Sequence, residues 1–328
     1  MAIALLRPFA ISIGLVDKPN YRKLHIGSVP LIGGIAMFFG VIVGILILSN
    51  DLNSLNYLIL SSFILLLVGI LDDHRDISVS VRLISQILIA IILVTLGDTS
   101  IDSFGRLFGN TDILLGNWSY FFSILAIIFG INAINMSDGI HGLAGGTSLI
   151  SIISMLFLSI YNGVLDYFLI LVLLSSSLSV FLVFNICIGI GQDKRIFMGD
   201  AGSMFIGLMI AWLLINMTQG NSKLFSPVTA LWIFSLPLFD MMAAILRRVG
   251  SGKSPFKPDL NHSHHLIMRL GFGEKNTLLV LILFSCLMST IGILGEIKIV
   301  AEWIMLTGFI FLFLLYLMLY KYVYMTAK

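Results

Sequence analysis

Apolar runs of about 16–23 residues recur along this chain, each close to the ~20 residues an α-helix needs to cross a bilayer. In hydrocarbon every backbone polar group must be satisfied within its own segment, so repeated runs of this kind read as spanning helices. They fall at about 2–16 (partial), 31–48, 56–71, 81–97, 117–136, 143–161, 166–188, 201–217, 228–246, 276–295 and 302–320. The chain is 58% hydrophobic and 11% charged, roughly half the charge of a soluble domain. The expected fold class is all-α: a polytopic integral membrane helix bundle of about ten full transmembrane helices plus a short partial N-terminal helix. All of 1–328 reads as one domain, and no inverted internal repeat of the transporter kind is visible.

Several classes drop out. Met1 to Leu15 is not a signal peptide, because Arg7-Pro8 interrupts it and no small-residue cleavage site follows. Cys187 and Cys286 lie inside apolar runs and in no CxxC pattern, which excludes a disulfide framework. There is no long basic tract, so nucleic acid is not an expected partner.

The connections alternate between two sides. One side holds Lys18, Arg22, Lys23, Arg75, Arg82, Lys194, Arg195, Arg247, Arg248, Lys253, Lys257, Arg269, Lys275, Lys321 and Lys328; the other holds Arg106, Lys223 and Lys298. Lys and Arg concentrate in cytoplasmic loops, which places the first side inside. The cytoplasmic loops are then about 17–30, 72–80, 137–142, 189–200 and 247–275, and the polar clusters of the chain sit at that same side.

The first cluster ends an apolar run without a spacer: Leu71-Asp72-Asp73-His74-Arg75-Asp76. Acids at the edge of hydrocarbon are costly, so the pair is a candidate functional site, the alternative being a solvated helix end. On a helix the two side chains point about 100° apart, which predicts two roles, and close packing of two acids pushes one carboxylate toward the basicity a general base needs. Asn132, Asn135 and Asp138 recur at a spacing of three, a stripe of oxygen-bearing groups on one helix face. Two amides and an acid suit a hard cation such as Mg²⁺; hydrogen bonding between helices is the alternative. Gly142, Gly145 and Gly146 read as close-packing residues, since no GxGxxG is present.

Asp200, in Phe197-Met198-Gly199-Asp200-Ala201-Gly202, opens a membrane helix, as an N-cap or as a metal ligand beside a helix terminus that also welcomes phosphate. His262-Ser263-His264-His265 lacks the i,i+4 pair of helical zinc sites, and imidazoles beside Arg247 and Arg248 suit a phosphate-bearing substrate better. The basic turn Asp17-Lys18-Pro19-Asn20-Tyr21-Arg22-Lys23 can meet anionic headgroups or serve as an anchor. Together the clusters point to phosphoryl transfer between an anionic lipid and a soluble phosphate-containing donor, which needs positioning and charge neutralisation. An ion-coupled transporter is the reading from another class; it would gather its acids near the midplane instead of at one face.

Asp17-Lys18-Pro19-Asn20, Asp72-Asp73, Asn132-Ala133-x-Asn135-x-x-Asp138-Gly139, Phe197-Met198-Gly199-Asp200 and His262-x-His264-His265, in this order, resemble the polyprenyl-phosphate N-acetylhexosamine-1-phosphate transferases. Pro227 to Trp232 and Ser254-Pro255-Phe256 look most like the branch that uses UDP-GlcNAc. The resemblance implies transfer of GlcNAc-1-phosphate from UDP-GlcNAc to undecaprenyl phosphate with release of UMP, which starts O-antigen, enterobacterial common antigen or related glycans. The peptidoglycan donor UDP-MurNAc-pentapeptide is the alternative within the superfamily. It further implies Mg²⁺ as cofactor, with Mn²⁺ as a substitute, in a bacterial inner membrane protein whose active site faces the cytoplasm. A homodimer is among the assemblies it allows. By position, Asp200 and Asn135 resemble the metal ligands, and Asp72 and Asp73 the catalytic acids, which implies Asp72 as the general base and Asp73 orienting a lysine, an arginine or metal-bound water. Lys18, Asn20, Arg82, Asn132, Asp138, His141, Arg248, His262, His264 and His265 resemble the substrate-binding set. Two departures stand out: His141 replaces the second acid of an Asp-Gly-x-Asp-Gly pattern, and the first membrane segment is short, which predicts a partial or peripheral helix.

Overall fold

The computed structural model describes residues 2–17, 27–49, 52, 55–109, 111–220, 223–255 and 261–326. Lys18 and Asn20 lie outside the described residues. Helices dominate: α1 (Ala2–Ser12), α2 (Gly33–Leu48), α3 (Asn56–Arg75), α4 (Val79–Thr95), α5 (Ser119–Ser137), α6 (Leu143–Asn162), α7 (Phe168–Ile186), α8 (Gly199–Thr218), α9 (Pro227–Ile233), α10 (Ser235–Gly250), α11 (Ser263–Arg269), α12 (Glu274–Ile297) and α13 (Glu302–Thr326). A two-residue antiparallel pair, β1 (Val16–Asp17) with β2 (Val29–Pro30), brackets the basic turn.

Every one of the ten expected spans coincides with a helix or a bent helix pair. Among the described residues, seven helices are long and apolar enough to cross a membrane, or eight with the bent pair as one span. The protein is a multi-pass, all-α membrane protein. The two remaining segments, α2 and α4, are 16 and 17 residues long, or about 24–26 Å at 1.5 Å per residue. α1 has 11 residues, short of the ~20 a span requires. Arg7 ties it to the connection between α7 and α8 by donating to the carbonyls of Asp193 and Arg195.

The span expected at 228–246 is broken. α9 and α10 meet at 84°, and the cause is Pro237 in the first turn of α10. Proline has no N–H for the carbonyl four residues back and its ring crowds that carbonyl. The carbonyl of Ile233 instead accepts from Ser151 Oγ at 3.0 Å and Ser289 Oγ at 3.3 Å, supplied by α6 and α12. Side-chain hydroxyls of this kind make a broken helix tolerable in hydrocarbon. Glu296 holds the start of α9 by accepting from Ser226 N at 3.1 Å and from Thr229 Oγ1 at 2.6 Å.

α8 is the centre of the bundle: 17 of its 20 residues are buried, and α2, α3 and α5 pack around it. Small residues permit that. A Cβ on Gly34 would stand 2.2 Å from the backbone N of Gly202, so α2 and α8 cross backbone to backbone, the small-residue packing of membrane helices. Gly142, Gly145 and Gly146 do lie against side chains of α7 and α12. The core is continuous from α2 to α8 and is built of Ile, Leu, Met and Phe. Around this central helix, the C-terminal ends of α3 and α5 and the N-terminal ends of α4 and α8 converge at the basic end of the molecule.

Candidate active site

Asp72 and Asp73 occupy the last turn of α3, within the helix and not in a loop beginning at 72. Their divergence separates them completely. Asp73 reaches across to α8, where Oδ1 accepts from Asp200 N at 2.7 Å and Oδ2 from Ala201 N at 3.2 Å. A helix N-terminus leaves four N–H groups without intrahelical partners, and Asp73 supplies acceptors for two of them. Gly199 makes the approach possible: its φ is +70°, and a Cβ there would lie 2.5 Å from Asp73 Oδ2. The cap of α8 therefore comes from α3. Asp200, expected either to cap the helix or to hold a metal, stands in the first turn with its carboxylate available for other work.

Asp72 is buried at 4% exposure. Its Oδ2 pairs with Arg82 at 2.7 Å, and its Oδ1 accepts from Ile77 N at 3.0 Å. The arginine expected beside Asp73 is thus on Asp72. Ser78 caps α4 through Val81 N, and this short turn brings Arg82 back against the acid ten residues earlier. Asp72, Asp73 and Asp200 lie close enough for their charges to interact.

The stripe on α5 also divides. Asn135 donates its amide to Asp200 Oδ1 at 2.6 Å and to Ser203 Oγ at 2.9 Å. That leaves its carbonyl oxygen as the atom a cation would use. Asn132 turns to α4 and donates to Gln86 Oε1 at 2.6 Å, the interhelical bond that was the alternative reading. Asp138 has left the helix: it is the C-cap residue of α5, exposed, with non-helical angles.

The histidine motif arrives from the far side. His262 precedes α11 and its Nδ1 lies 2.7 Å from Asp240 Oδ2. His264 is 1% exposed, with neither ring nitrogen hydrogen-bonded among the described residues. Gly139 of the α5–α6 turn lies directly against its Nε2, and His265 packs on it with ring centroids 4.2 Å apart. Burial, then the neighbouring His265 and His262, lower the His264 pKa to about 3 against the partial opposition of Asp240. His264 therefore stays neutral in the folded protein while the unfolded chain takes up its proton near 6.5. Its contribution to stability is complete above that value and is lost as pH falls toward 3, with a slope of at most about 1.4 kcal/mol per pH unit. Thermal unfolding at pH about 7 and about 5 should show a larger acid loss in wild type than in His264→Gln.

Arg82, Asn132, Asn135, Arg248 and His262 all line one cavity of about 270 Å³, together with Gln86, Met204 and Pro255. Arg248 is 5% exposed and donates to the Pro255 carbonyl at 2.6 Å. His141 is set apart: its backbone N donates to Glu274 Oε1 at 3.1 Å, and its ring packs on Phe197 at 5.1 Å. A second cavity, about 320 Å³ and almost wholly apolar, lies beside the α9–α10 bend, and Phe129 lines both. Sequence reading missed Gln86, Ser203, Asp240 and Glu274. Gln86 and Asp240 carried a usable signal, as an amide and an acid inside apolar runs.

Residues 55–218 match the family described as glycosyl transferase family 4. That stretch runs from the start of α3 to the end of α8 and contains Asp72, Asp73, Arg82, Asn132, Asn135, Asp138, His141 and Asp200. A Yersinia pestis protein described as undecaprenyl-phosphate alpha-N-acetylglucosaminyl 1-phosphate transferase is 41% identical over 311 residues, 94% of this chain and 85% of the relative. The chain belongs to glycosyl transferase family 4. A Haemophilus influenzae relative of the same description is 43% identical over 316 residues, 96% of this chain and 89% of its own length. One from Salmonella typhi is 38% identical over 315 residues, covering 96% and 86%. Similarity at this coverage extends past the family match to the Arg248 and histidine side of the cavity.

Proposed function

We propose that this family 4 member transfers GlcNAc-1-phosphate from UDP-GlcNAc to undecaprenyl phosphate and releases UMP. The observation that carries the reading is the single polar cavity in which Arg82, Arg248, Asn132, Asn135 and His262 converge next to Asp72. Two guanidinium groups in one cavity match a reaction between two phosphate-bearing partners. The apolar cavity alongside, bounded by the bent α9–α10 pair and sharing Phe129 with the polar one, suits the isoprenoid carbon of such an acceptor. The descriptions of the Yersinia pestis and Haemophilus influenzae relatives name the same acceptor and sugar.

In the reaction an oxygen of the acceptor phosphate attacks the phosphorus that bears GlcNAc. A new P–O–P bond forms, the bond to the uridine-side phosphate breaks, and UMP leaves with the electron pair. Asp72, paired with Arg82, receives any proton still on the acceptor phosphate, while Arg82 is shared between Asp72 and that phosphate. Asp73 is a positioning residue that sets the first turn of α8 and with it Asp200. The carboxylates of Asp72, Asp73 and Asp200 lie close enough for their charges to interact, and Arg82 pairs with the first of them; negative charge gathered in this way fits a divalent cation. Mg²⁺ needs only one or two protein oxygens and completes its shell with water and phosphate. Asp200, with the Asn135 carbonyl, would hold it, and when bound it supplies Lewis-acid charge for the departing phosphate. The basic end that carries the site is the cytoplasmic one on the distribution of Lys and Arg, and the membrane is the bacterial inner membrane.

Purified protein should release UMP from UDP-GlcNAc only when undecaprenyl phosphate and Mg²⁺ are both present. UDP-MurNAc-pentapeptide should neither substitute for UDP-GlcNAc nor compete with it. Absence of UMP from folded protein, or preference for the peptide-bearing donor, would overturn the reading.

A further inference from the structure

Asp240 has no part in the transfer described above, yet it is one of the most enclosed acids in the structure, 4% exposed in α10. Oδ1 accepts from Ser263 N at 2.8 Å and from Tyr316 Oη at 3.2 Å. Oδ2 lies 2.7 Å from His262 Nδ1. Ser263 is the first residue of α11, whose own N-cap residue, His262, makes no side-chain cap bond. Asp240 therefore caps α11 from a neighbouring helix, while Tyr316 fixes the carboxylate from α13.

Those contacts assign the ring. Two donors already hold Oδ1, so both oxygens act as acceptors and the proton between Asp240 and His262 belongs to Nδ1. A histidine whose Nδ1–H is held by a carboxylate has a set tautomer and a set orientation. His262 is a wall of the cavity that also holds Arg82 and Arg248, and Nε2 is the ring nitrogen that Asp240 does not engage. We propose that Asp240 is a positioning residue that locks His262 in its Nδ1–H form and so presents Nε2 to the phosphate-bearing substrate. The effect on turnover rests on the function proposed above; the assignment of the ring does not.

Asp240→Asn is the discriminating variant. Ser263 N–H and Tyr316 O–H will retain the amide oxygen in the Oδ1 position, so the new NH₂ faces His262 Nδ1 and forces the proton onto Nε2. In ¹⁵N-histidine NMR spectra of the full chain in micelles, with the signal assigned by its loss in His262→Gln, wild type should show a protonated Nδ1. Asp240→Asn should show a protonated Nε2 with Nδ1 bare. Its kcat for UMP release should fall about 100-fold, with a much smaller change in KM for UDP-GlcNAc. The same substitution made in His262→Gln should cause no further loss. A wild-type His262 carrying its proton on Nε2 alone overturns the proposal, even if Asp240→Asn does not fold. So does an equal loss from Asp240→Asn in the His262→Gln background, which would mark Asp240 as merely structural. If wild type releases no UMP from any UDP-sugar, the proposed function fails while the spectra still decide the tautomer.

Discussion

Asp200→Asn should lower UMP release by on the order of 10³-fold while leaving the protein as heat-stable as wild type. The two halves of that result have separate causes. Stability is retained because the contacts that hold this turn survive the change. Asp73 bonds the backbone N–H of residue 200, which asparagine keeps, and an amide oxygen can still accept from Asn135 Nδ2. Activity is lost, on the metal role proposed for Asp200, because a neutral amide removes one of three interacting carboxylates. The variant should also need more Mg²⁺ for half-maximal rate. Rates measured across a Mg²⁺ titration, beside a thermal melt, check both halves; full activity in Asp200→Asn would remove the metal role assigned to it.

Asp72→Asn and Asp73→Asn should fail in different ways, although the residues are adjacent. Asparagine at 73 offers one acceptor where two backbone N–H groups now bond, and it turns an NH₂ toward the other. A buried donor left unmade costs about 1–3 kcal/mol, so this variant should melt lower and bind Mg²⁺ less well through a displaced Asp200. Asparagine at 72 can still accept from Ile77 N but loses the pair with Arg82. Arg82 is 25% exposed and can turn to water or substrate, so the melt should move less. The rate should fall by about 10²–10⁴-fold, the size of the general-base role proposed for Asp72. Melting curves and Mg²⁺-dependent rates separate the two, and identical defects in stability, rate and metal affinity would contradict the division of labour.

The sequence by itself determined where the helices are. Length and polarity of a run are local properties, and hydrocarbon admits few backbone solutions, so all ten expected spans coincide with helical segments. It also determined that the polar clusters share one end, because alternation of spans needs no knowledge of packing. The chemistry of the site was legible as residue types: acids, amides, arginines and histidines at that end. Partners were not. Asp73 meets Asp200 across 127 residues and Asn132 meets Gln86 across 46. Those pairings depend on the rotation and crossing of helices around α8, which a periodicity does not encode. The span across Pro237 was expected unbroken, and its 84° bend is accommodated by hydroxyls from α6 and α12. Asp240, one acid inside an apolar run, drew no reading from the sequence, and only α11 and α13 bring His262, Ser263 and Tyr316 to it. Burial at the edge of a membrane demands a partner for every polar group, and tertiary structure decided which partner each one has.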